Sequence, residues 1–115
     1  MPGHTGLMRQ VFAHDAVLGM APGADERAPG AAVTVALCGH WEHEPPCPLA
    51  PHHVRADRRG DELHVRVLFA AEPGAEREVR HRIDRALSER WQVRASRASD
   101  VSPAEAGHAE RLVRG

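Results

Sequence analysis

Hydrophobic and polar positions alternate most regularly along residues 62–71, where Leu63, Val65, Val67 and Phe69 take one side and His64, Arg66 and Leu68 the other. A period of two is that of a strand with one buried face. Pro73 and Gly74 end it. Over residues 75–90 the period becomes 3.6, with Val79, Ile83, Ala86 and Leu87 in one stripe, which predicts an amphipathic helix. Glu76 and Arg80, Glu78 and Arg82, and Arg85 and Glu89 lie four apart with opposite signs, so this charge run reads as a solvated helix face.

Residues 31–41 also alternate. Val33, Val35 and Leu37 stand against Thr34, Ala36, Cys38 and His40, and the pattern predicts a strand. Upstream, residues 7–20 carry a weak apolar pattern (Val11, Ala13, Val17, Leu18) that favours a strand near 16–20. Residues 21–30, with two Pro and two Gly, read as an exposed connection joining two strands as an open hairpin. A further strand begins at 54–56 and turns at 57–61, where Gly60 supplies the left-handed residue. Residues 91–95 alternate once more. Ser102, Pro103 and Glu105 form a capping-box start for a short helix toward Leu112.

These elements predict an α+β domain: a small antiparallel sheet of four to five strands packed on one main helix, with a short C-terminal helix. The expected core is Val33, Val35, Leu37, Val65, Val67, Phe69, Val79, Ile83 and Leu87. Residues 1–6 read as a flexible tail, 7–101 as a single domain and 102–115 as the short helix or tail. The second sheet face, bearing Cys38, His40 and His64, would stand open in a monomer, so a homodimer, a protein partner or a covering loop is expected.

Composition sharpens this picture in two respects. Of the 115 residues 42% are hydrophobic, yet Leu, Ile, Val and Phe total only 22, and a core this thin invites a metal or a second subunit. The 15 positive charges are all Arg, while the net charge is −1. Arg-to-Glu pairing along the helix and a balanced total argue against nucleic-acid binding. The longest uncharged run, residues 28–39, is too short to span a bilayer and no secretory signal is visible, so the expected location is cytoplasmic.

Chemistry concentrates in one place. Cys38, His40, His43, Cys47, His52 and His53 fall within sixteen residues, CGHWEHEPPCPLAPHH. Thiolate and imidazole are the ligands of borderline-soft ions, which predicts a metal site, with zinc the expected ion. The spacing matches no zinc-finger pattern, so the signal is one of density. Four protein ligands would close the site, giving a binding or interaction module. Three ligands plus water would leave an open position for a small zinc-dependent enzyme, with Glu42 or Glu44 as its acid/base. A metal-handling or metal-sensing protein is the third reading. Few aromatics are present to line a haem pocket, and in a reducing compartment two Cys are thiols or ligands before they are a disulfide. His14 and Asp15 could orient one another, but no nucleophile motif accompanies them.

Overall fold

Residues 9–38 and 50–114 are described by the computed structural model. The regular alternation of the third quarter of the chain forms β3 (Glu62–Ala71), and β1 (Gln10–Gly19) pairs with it antiparallel over its whole length. β2 (His52–Arg59) flanks the other side of β3, joined to it by a tight turn in which Gly60 takes φ +63°, open only at a cost to residues bearing a Cβ. β4 (Gln92–Ser99) pairs antiparallel with β1, giving a four-stranded sheet in the order β2-β3-β1-β4. The helices are α1 (Ala28–Cys38), α2 (Glu76–Ser88) and α3 (Ala106–Arg114).

The expected α+β class and antiparallel sheet are present. The order β1-α1-β2-β3-α2-β4 with this strand arrangement is the split β-α-β topology of ferredoxin-like folds. Because β1 and β2 are each antiparallel to β3, they run in the same direction, and the chain between them must cross over the sheet. An additional strand cannot make that crossing, whereas a helix can.

This is the physical reason why residues 31–38, the described part of the expected 31–41 strand, are helical. They belong to α1, an Ala-rich helix with Pro29 in its first turn, and residues 39–41 lie outside the described residues. Helical periodicity keeps Val33 and Leu37, four apart, in the core at 0% exposure and turns Val35 outward at 54%. Val35 is therefore the one member of the expected core that is not in it. By the same token residues 21–30 lead from a strand into a helix and form no hairpin. Both α1 and α2 cover one sheet face, where the single main helix of the sequence reading is half of the layer.

Between these layers Leu18, Val33, Leu37, Leu63, Val65, Phe69, Val79, Ile83 and Leu87 are buried. Each such side chain contributes about 1.5–3 kcal/mol on leaving water. The other sheet face, expected to be open, is covered over β1 and β3 by α3, beneath which Ala13, Leu68 and Ala70 are buried. The three Glu–Arg pairs of α2 form as expected, at 2.8, 2.8 and 3.7 Å. So does the capping box of Ser102 and Glu105. Among the described residues no helix is long and apolar enough to cross a membrane.

Candidate functional site

Of the six Cys and His positions singled out in the sequence, His40, His43 and Cys47 lie outside the described residues, as do Glu42 and Glu44. The other three bracket that segment. Cys38 is the last residue of α1, a helix terminus where a strand was expected. His52 and His53 open β2. Successive strand residues point to opposite faces, and the two imidazoles go to different places.

His52 lies on the face covered by α1. Its Nδ1–H donates to the carbonyl of Ala50 at 3.2 Å, which leaves Nε2 as the nitrogen with the free lone pair, and Thr34 donates its hydroxyl to that Nε2 at 3.0 Å. Burial lowers its pKa, so the ring is neutral near pH 7. A neutral imidazole fixed in one tautomer by a backbone carbonyl is the form in which His ligates metals. Thr34 sits in α1 one turn before its last residue, Cys38. The hydrogen bond thus joins α1 to the start of β2.

His53 faces the other way, toward α3. Its ring meets that of His108 with centroids 4.2 Å apart. Together with Arg55, Arg66, Leu68 and Glu105 they line a cleft of about 180 Å³. The Arg66 guanidinium is fully occupied: it forks onto Glu105 at 2.8 and 2.8 Å, reaches Asp15 at 2.9 Å, and donates to the Asp100 carbonyl at 2.7 Å. Its pKa rises accordingly, while the same hydrogen bonds hold the Glu105 carboxyl down at about 2. Among the described residues no group of three or more His, Cys, Asp or Glu side chains is arranged to hold a metal ion.

A third polar cluster lies inside the fold. His14, 3% exposed, accepts from Arg80 at Nδ1 (3.0 Å), and its Nε2–H is within reach of Ser96 Oγ (2.8 Å) and Asp84 Oδ1 (3.2 Å). Ser96 in turn donates to Asp84. Serine and aspartate share one imidazole nitrogen here, whereas a nucleophilic triad places them on opposite nitrogens. The cluster pins α2 to β1 and β4. Asp15 makes no hydrogen bond in this cluster, because it points to the opposite face and pairs with Arg66, so His14 and Asp15 do not orient one another. His64 is likewise half-exposed beside Glu62, at 3.4 Å.

His108 and Arg55 carried no signal in the sequence. One is an unremarked helix residue and the other sits in a strand rich in Arg; only the docking of α3 on β1 and β3 brings them to one cleft. No protein-family model matches the chain, and no curated protein matches it.

Proposed function

We propose that this chain is a small zinc-binding protein in which the ion ties the end of α1 to the start of β2, with Cys38, Cys47 and His52 as ligands and His40 or His43 completing a tetrahedral set. The observation that carries this reading is the state of His52: neutral, tautomer set by the Ala50 carbonyl, and Nε2 directed at the α1 residue one turn before Cys38. His53 drops out of the ligand set, since strand alternation turns it to the other face. Four protein ligands leave no open position, so the metal is structural, and the locked segment together with the exposed Val35 side of α1 becomes a surface for a protein partner or a second copy. Glu42 and Glu44 then serve only as carboxylates of that segment. Thiolate ligands suit a reducing cytoplasm. A nucleic-acid partner has no place in this reading, because three Arg of α2 are paired with Glu.

Elemental analysis of untagged protein tests it. About one zinc per chain is expected, as for a closed four-ligand site, lost in Cys38→Ser and Cys47→Ser, weakened in His52→Gln and retained in His53→Gln. Zinc retained in His52→Gln and lost in His53→Gln would reverse the assignment. Metal-free protein with unchanged thermal stability would end it.

A further inference from the structure

On the sheet face beneath α3, one cross-strand row runs Arg55, Arg66, Asp15, Arg97 through β2, β3, β1 and β4. Arg55 and Arg66 stand directly opposite one another, an arrangement of like charges that destabilises an antiparallel pair. Glu105, in the turn just before α3, is the other carboxylate at the row among the described residues, so three guanidiniums face two carboxylates, and both carboxylates are engaged by Arg66. Asp57, two residues along β2 on the same face, is ion-paired with Arg59 at 2.9 Å. Among the described residues Arg55 has neither hydrogen bond nor ion pair. It borders the cleft whose upper wall is the His53–His108 pair.

We propose that this cleft is an oxyanion site of the phosphate class, with Arg55 as its charged anchor and the His53 and His108 rings as N–H donors. A guanidinium fork matches a tetrahedral oxyanion in geometry and charge. A cation is the poorer occupant: two guanidiniums border the cleft, and both oxygens of Glu105 are already accepting from Arg66. The bound anion would sit beside Arg55 and offset the repulsion across β2 and β3. This site is independent of the zinc reading, because it lies on the sheet face opposite His52.

The test is a titration of the full chain with inorganic phosphate and, separately, with glycerol phosphate, each against sodium chloride at matched ionic strength and slightly alkaline pH. The ring resonances of His53 and His108 are followed by NMR. Saturable shifts at both rings are expected, weakened about tenfold or more in Arg55→Gln through loss of the charged fork and preserved in Arg59→Gln. Saturation by both compounds marks a free-anion site, and saturation by the monoester alone marks an esterified phosphate; either supports the proposal. In chloride alone, Arg55→Gln should melt above the parent, since the like-charge opposition is gone. Chloride-like responses throughout, undiminished binding in Arg55→Gln, a lower melting temperature for that variant, or zinc capture by the two rings that excludes phosphate would each overturn it.

Discussion

His14 is the residue whose burial has the most direct consequence in solution. Desolvation lowers its pKa below the usual 6.5; the nearby Asp84 opposes that shift, and Arg80 adds to it. The unfolded chain therefore binds a proton more readily than the folded one. The associated stability is fully present above about pH 6.5 and is lost as pH falls toward the depressed folded value. Chemical denaturation across this range should show stability declining with acidity, with a shallower slope in His14→Gln, which retains a polar group beside Arg80 without the titration. An unchanged slope would mean that another group controls the transition.

At the scale of the element, α1 separates two readings of one segment. A strand would place Val33, Val35 and Leu37 on a common buried face; the helix buries Val33 and Leu37 and exposes Val35. Leu37→Ala should cost about 2–5 kcal/mol, the range for a large core side chain removed without collapse. Val35→Ala should stay within about 0.5 kcal/mol, as for ordinary surface positions. Equal losses in urea denaturation would support a common face. The alternation in residues 31–41 was real but misleading, because a V-x-V-x-L run inside an Ala-rich stretch satisfies both periods in part. The need to cross from β1 to β2 decides between them.

The whole molecule is layered unevenly. α1 and α2 share a core with the sheet, whereas α3 buries no residue completely and is held by Glu105 on Arg66, the His53–His108 contact and a partly exposed apolar stripe. Such a layer opens before the rest. Glu105→Gln should weaken docking by about 1.5–3 kcal/mol, the worth of hydrogen bonds to a charged group. In hydrogen exchange, α3 amides should lose protection while β1 and β3 amides keep theirs. Acid should act alike: with its folded pKa near 2, Glu105 contributes stability that is present above about 4.5 and disappears as pH falls through 2. If α3 and the sheet exchanged together, the two layers would be one cooperative unit.

Local pattern alone determined β3, the Gly60 turn, α2 with its three ion pairs and the Ser102–Glu105 cap, because each depends on contacts within a few residues or on a single clear period. It also marked the thiol and imidazole density between α1 and β2. Tertiary structure decided what depends on partners distant in the chain. Parallel β1 and β2 turn residues 28–38 into a helix, and strand alternation sends His52 and His53 to opposite faces. The docking of α3 covers the second face over β1 and β3 and sets His108 against His53. Asp15 and His14, adjacent in sequence, end in separate networks for the same reason: the pleat divides neighbours, and only the packing of the layers decides what each one meets.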